Sequence, residues 1–212
     1  MNKLRYLGQL VVLALLVGLL GAALGPAQAA RQQRPLTTEV SGHITTDTTW
    51  TLVNSPYVAT DDVTVDESVT LTVEPGVVVK FNDLDGLRIA GHLIAEGTMA
   101  QPIVFTSMLD DAHGGDTNGD GTATSPAPDD WGGIEFASTA SGALANVWVG
   151  YGGGSWTSAP NVEIRSTNDV TIRDSTVAYC GEQGIYVGNA SPTIEDNEIR
   201  DNMGRGITFD GF

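Results

Sequence analysis

Two adjacent segments near the end of the chain can be laid over one another without a gap. Ile172, Asp174, Val177, Gly184, Ile185 and Val187 fall on Ile194, Asp196, Ile199, Gly206, Ile207 and Phe209, each displaced by 22. A fixed period of this length is the signature of a stacked array. A single unit of that size buries too little apolar surface to offset the entropy of ordering its own backbone, so the units must lie on one another.

A four-residue phrase recurs outside these two segments: Gly86-Leu87-Arg88-Ile89 and Gly133-Ile134-Glu135-Phe136, then Gly184-Ile185-Tyr186-Val187 and Gly206-Ile207-Thr208-Phe209. The glycine is expected to turn with positive φ, after which two apolar residues two apart point inward from a short strand. A second phrase keeps a spacing of five, as in Leu144 and Val149, Ile172 and Val177, Ile194 and Ile199. Five is an odd step, so a straight strand would send the two side chains to opposite faces; a corner between them lets both face one interior. From Ser41 onward, short runs of Val, Ile, Leu and Thr are broken by Gly, Asn and Asp, with no amphipathic helix of useful length. The expected fold is therefore all-β, a parallel β-helix with coils of about 22 residues over 41–212. An immunoglobulin-like sandwich also has short strands and frequent turns, but it leaves the self-match unexplained.

The run Val-Thr-Leu-Thr-Val-Glu-Pro-Gly-Val-Val-Val-Lys-Phe from Val69, within Val63 to Phe81, resembles the first full coils of right-handed β-helix proteins of the pectin-lyase-like superfamily. Leu87 to Gly97, Pro102 to Ser107 and Trp131 to Phe136 continue the pattern. The resemblance implies fold, not activity, because that superfamily includes lyases, hydrolases, epimerases, adhesins and members with no known reaction. Of the hydrolase-like strings it would imply, Asn-Thr-Asp, Gly-His-Gly and Arg-Ile-Lys are absent, and so is the epimerase-like Asp-Pro-His.

The first residues carry Lys3 and Arg5, then an apolar run from Leu10 to Leu24 and Ala27-Gln28-Ala29. This reads as a secretory signal peptide over 1–29, with a membrane anchor as the competing reading. Residues 30–40 read as a flexible leader. Without Lys3 and Arg5, 8 basic residues face 26 acidic ones, a mature charge of −18. Such a surface repels nucleic acid and anionic membranes, and no membrane insertion is expected after signal cleavage. Cys180 is the single cysteine and reads as a buried, inert thiol.

The stretch Met108 to Asp130 interrupts the coil pattern and is expected to bulge from the stack. It contains Asp116-Thr117-Asn118-Gly119-Asp120-Gly121-Thr122, with side-chain oxygens at alternate positions, as a hard cation such as Ca²⁺ requires. Asp116, Asn118, Asp120 and Thr122 are thus candidate metal ligands, with Asp110, Asp111, Asp129 or Asp130 available if the loop folds back. Ala127 stands where an EF-hand has its bidentate Glu, so a complete EF-hand is excluded, and an ordinary polar loop is the alternative.

Trp148, Tyr151 and Trp156 flank the run Gly152-Gly153-Gly154 and are candidate contacts for a sugar ring; alternatively Trp148 packs beneath a loop. Arg165, Arg173, Arg200 and Arg205 could clamp a sugar carboxylate, although Arg173 should stack near Glu195 as an ion pair. His43, His92 and His113 read as solvated turn residues, and Asp61 and Asp62 as solvated acids. At the ends, Ser41 to Pro56, with Trp50 and Leu52, can fold over the first coil. Nothing polar or helical follows Ile207 and Phe209, which predicts a truncated chain, further coils or a partner there. The functional expectation is a secreted or cell-surface β-helical scaffold or binding module associated with polysaccharide or cell-surface glycan and stabilised by Ca²⁺. The alternatives are a polysaccharide lyase or other carbohydrate-active enzyme, and a fragment of an adhesin-like surface protein.

Overall fold

The computed structural model of the protein describes residues 36–154 and 159–211. The signal-peptide segment, residues 30–35 of the leader and Trp156 lie outside the described residues. The strands are short and follow each other closely. The first nine are β1 (Thr38–Ile44), β2 (Thr48–Trp50), β3 (Tyr57–Val65), β4 (Thr70–Val73), β5 (Val78–Phe81), β6 (Leu87–Ile89), β7 (His92–Glu96), β8 (Ile103–Ser107) and β9 (Ile134–Phe136). The other nine are β10 (Ser141–Ala145), β11 (Val147–Gly150), β12 (Val162–Arg165), β13 (Val170–Arg173), β14 (Thr176–Ala178), β15 (Ile185–Gly188), β16 (Thr193–Glu195), β17 (Glu198–Arg200) and β18 (Ile207–Asp210).

All of these strands pair in parallel and form three faces. Face A runs β3, β5, β8, β11, β14, β17; face B runs β3, β6, β9, β12, β15, β18; face C runs β2, β4, β7, β10, β13, β16. The long strand β3 belongs to two faces, with Tyr57–Ala59 pairing β5 and Val63–Val65 pairing β6. This is a parallel β-helix, and it positions Ile172 directly against Ile194.

Inside, each face stacks like on like. On face B the columns are Val63–Leu87–Ile134–Val162–Ile185–Ile207 and Val65–Ile89–Phe136–Ile164–Val187–Phe209. On face C, Trp50, Val73, Ala95, Leu144, Ile172 and Ile194 form one column. Where Gly142 leaves a gap in the neighbouring column, the Phe136 ring fills it, 2.5 Å from where a Cβ would be. The interior positions of the middle rungs are fully buried, whereas Ile194, Ile199 and Ile207 are half-buried.

The odd spacing of five is resolved by one residue. Asn146, Asp174 and Asp196 each directly follow a face C strand at the corner leading to face A, with φ of 47°, 51° and 54°. Asn and Asp tolerate this left-handed conformation better than other side chains, and one such residue turns the chain so that both flanking apolar side chains point inward. The corner amides that lose a strand partner are served from the neighbouring rung. Ser175 Oγ accepts from Val147 N, and Asn197 Oδ1 accepts from Ser175 N while its Nδ2 donates to Ile172 O.

The structure corrects three expectations. In the recurring phrase only Gly133 has positive φ (85°); at Gly184 a Cβ would lie 2.7 Å from Asn202 Nδ2 and 2.8 Å from Gly206 O, so close approach between rungs is what demands glycine there. The coil length is not uniform: Ile185 to Ile207 is a step of 22, Val63 to Leu87 a step of 24 and Leu87 to Ile134 a step of 47, because insertions enter at corners. The segment from Thr38 to Trp50 does not fold over the first coil but forms its own rung, β1 under β3 and β2 under β4, starting within the expected leader. Trp50 stacks on Tyr57 at 5.1 Å, while Leu52 stays exposed. Among the described residues no helix is long and apolar enough to cross a membrane.

Ile172 lies mid-column with a neighbour above and below. Replacing it with Ala is expected to lower unfolding free energy by about 2–5 kcal/mol, and Ile194→Ala by clearly less, because a half-buried site leaves a smaller cavity. Urea titrations followed by circular dichroism measure both, and equal losses would contradict the column.

Candidate functional site: the excursion over face A and the recess on face B

Between β8 and β9 the chain leaves the stack and lies back over face A. The outward side chains Val58, Lys80, Val104 and Thr106 are consequently as buried as core residues, although strand alternation points them away from the interior. Gly114 is so close that a Cβ there would touch Pro56, Val78 and Lys80 at 3.2–3.4 Å. The fully buried Lys80 holds the excursion: its Nζ donates to Asp110 O at 2.7 Å and to Gly115 O at 2.6 Å. Desolvation lowers its pKa, opposed by the charges of Asp110, Asp111 and Asp116. At the return, Asp130 accepts from Ser107 Oγ at 2.6 Å, and buried Trp131 stacks on Phe81 at 4.2 Å and donates to Gly150 O.

This fold-back brings Asp111 to Asp116 and Asp120, with one oxygen from each within 4.8 Å of the others. Asp116 wraps the loop by accepting from the amides of Gly119, Asp120 and Gly121, leaving the carboxylates gathered on one side. Asp111 Oδ1 is buried with no hydrogen-bond partner, and burial with the charges of Asp116, Asp120 and Asp110 raises its pKa, while Lys80 opposes the rise. An orphaned carboxylate oxygen facing two further carboxylates fits a metal ion, and the arrangement can coordinate one. Asn118 turns its amide to Asp120 and Thr124, Thr122 is exposed, and the Thr124 hydroxyl donates to Asp120. Of the four fold-back candidates, Asp110 instead accepts from Thr106 and His113, and Asp130 accepts from Ser107 and Ala127.

The Trp148 ring lies against Gly150, whose Cβ would fall 2.2 Å from it, and His113 of the excursion stacks on the ring at 5.0 Å. Tyr151 stacks on Tyr179 at 5.2 Å, and Arg200 covers Tyr179 at 5.3 Å. The ring faces are thus occupied by protein, with Trp148 packed beneath the excursion. The arginines do not converge: Arg165 is on face B with Glu163, Arg200 on face A with Glu198 and Asp201, and Arg173 on face C. Arg173 is in register with Glu195, but its guanidinium reaches Asp174 and Glu96. The histidines also differ from expectation. His43 and His92 are in strands, bonded to Asp66 and Ser141, and His113 is half-buried against Asp110. Burial pushes the Cys180 thiol up to about 11, so it is not a thiolate.

On face B a recess of about 380 Å³ is lined by Asp62, Thr64, Arg88 and Glu135, with Gly86, Gly132 and Gly133 among its backbone walls. Thr64, Arg88 and Glu135 are in register on three successive rungs. Arg88 Nη1 donates to both Glu135 oxygens at 2.6 and 2.7 Å, and Asp62 Oδ1 accepts from Gly86 N at 2.9 Å. At the same corner Asp85 is pushed up to about 6, by burial first and then by Asp62, Asp61 and Asp83, and its Oδ2 has no partner. Sequence reasoning missed this site although Arg88 and Glu135, 47 residues apart, hold the same third position of the recurring phrase; that shared position was the available signal.

The right-handed β-helix region family matches residues 118–211. Among curated proteins, 72 residues are 40% identical to Protein bark beetle of Drosophila melanogaster, covering 34% of this chain and 2% of that protein. No solved structure matches at a significant level. The chain therefore has a right-handed parallel β-helix fold, consistent with the pectin-lyase-like superfamily.

Two measurements check these sites. Lys80→Met leaves two carbonyls without their charged donor, a loss of ~1.5–3 kcal/mol, so limited proteolysis within 108–130 should accelerate ~10-fold or more while the strand signal persists. The folded-state pKa of Asp85, about 6, lies above its unfolded value. Its contribution is complete below the unfolded value and is lost as pH rises through 6. Asp85→Asn should raise the melting temperature more at neutral pH than near the unfolded carboxylate value; an equal gain at both would refute the assignment.

Proposed function

We propose that this chain is a secreted or cell-surface β-helical binding module for carbohydrate, with Ca²⁺ holding the excursion. The observation that carries the reading is the face B recess. Its volume lies in the range of small-ligand sites, its glycines let a ligand approach the backbone, and fixed carboxylate and guanidinium groups face its opening. Vicinal hydroxyls of a sugar match paired acceptors and donors of this kind. The recess supports this better than Trp148 and Tyr151, whose faces are already covered. The β-helix fold is common among extracellular proteins, which agrees with the amino-terminal sequence and with the acidic composition.

Ca²⁺ is the ion that three carboxylates on a flexible loop suit best, since it takes many oxygen ligands in loose geometry. Asp111, Asp116 and Asp120 would hold it, and its charge would relieve their mutual repulsion and close the 111–120 part of the excursion on itself.

Isothermal titration against a panel of oligosaccharides tests the recess. A saccharide that binds should lose ~10-fold or more in affinity with Arg88→Ala or Glu135→Ala. No binding across the panel, or binding indifferent to both substitutions, would overturn the assignment. Ca²⁺ at 100 times its Kd should add about 2.7 kcal/mol of stability, removed by Asp111→Asn. Equal melting temperatures with Ca²⁺ and with chelator would dismiss the ion.

A further inference from the structure

The charge around the face B recess points to a particular class of saccharide. Asp62 and Glu135 line it, and Asp61, Asp83 and Asp85 crowd the adjoining corner. Against these five carboxylates stands one guanidinium in the lining, Arg88, whose Nη1 is already bound to both oxygens of Glu135. Among the described residues no ion pair reaches Asp61, Asp62, Asp83 or Asp85. Asp62 is exposed at the rim; one oxygen is fixed by Gly86 N, and the other has no hydrogen-bond partner among the described residues.

We infer that the recess selects amine-bearing oligosaccharides, of the hexosamine class, over uronic ones; this rests on the carbohydrate reading above. A uronate carboxylate entering here meets carboxylates within a Debye length of about 8 Å, and the charge of the one cation in the lining is already paired with Glu135 through Nη1. An ammonium meets the open oxygen of Asp62 and a negative field that also draws it in from solution. The pKa of Asp85, raised first by burial and then by Asp62, Asp61 and Asp83, agrees with that field. Discrimination comes from repulsion of the wrong ligand as much as from attraction of the right one.

The full chain is titrated with tetraglucosamine, its N-acetylated counterpart and tetragalacturonate, at a pH where the amines are protonated. Tetraglucosamine is expected to bind about tenfold tighter than the acetylated form, with no measurable binding of tetragalacturonate. Asp62→Asn keeps the bond to Gly86 and should erase that preference, so that tetraglucosamine and its acetylated counterpart bind this variant with equal affinity. Tetragalacturonate binding as tightly as tetraglucosamine, with sensitivity to Arg88→Ala, overturns the selectivity and leaves the carbohydrate reading standing. A preference unaltered by Asp62→Asn and by Asp85→Asn assigns it to the acidic surface at large and likewise overturns it. Absence of binding by every oligomer ends both readings.

Discussion

Each rung of this molecule finds its hydrogen-bond partners on the rungs above and below, not within itself. A coil such as β12, β13 and β14 exposes a full set of backbone donors and acceptors until β15, β16 and β17 are laid against it. Parallel pairing fixes the register, and register fixes which side chains share a column. The apolar columns, the left-handed corners at Asn146, Asp174 and Asp196, and the outward rows on every face follow from that single constraint.

The same constraint allows insertions only at corners. Residues added within a strand would shift its side chains to the wrong face, whereas residues added between strands leave the ladder intact. The long step from Leu87 to Ile134 is such an addition, and it is put to use. It covers face A, converts that outer surface into a second buried layer around Lys80, and carries the carboxylates of Asp111, Asp116 and Asp120 into one place. A buried cation close to a carboxylate cluster is electrostatically consistent: the ammonium offsets part of their repulsion while its own bonds go to backbone carbonyls.

Faces A and B are therefore chemically different although built on identical backbone. On the covered rungs of face A the outward side chains are buried beneath the excursion, and Trp148 stacks on its His113. Face B stays open, and its outward row of Thr64, Arg88, Glu135, Glu163, Tyr186 and Thr208 presents polar groups at rung spacing. A solenoid of this kind separates stability from recognition, since the columns carry the first and the outward rows the second.

The self-match of Ile172 through Val187 on Ile194 through Phe209 was enough to read the stacked fold, because inward positions in a solenoid have a local periodic signature. The oxygen-rich loop at Asp116 was legible for the same reason: cation ligands at alternate positions are a local pattern. Which of Asp110, Asp111, Asp129 and Asp130 joins that loop, the burial of Lys80 and the bonding of Arg88 to Glu135 were not legible. They depend on where the excursion folds back and on which rungs it separates, and no local pattern encodes that. Thr122 has the spacing of a ligand and is exposed. The sequence by itself determined the repeat, the apolar interior and the interruption of the coils. Only the tertiary structure decided which face was covered and which polar groups met, because those are set by the path of a loop with no period of its own.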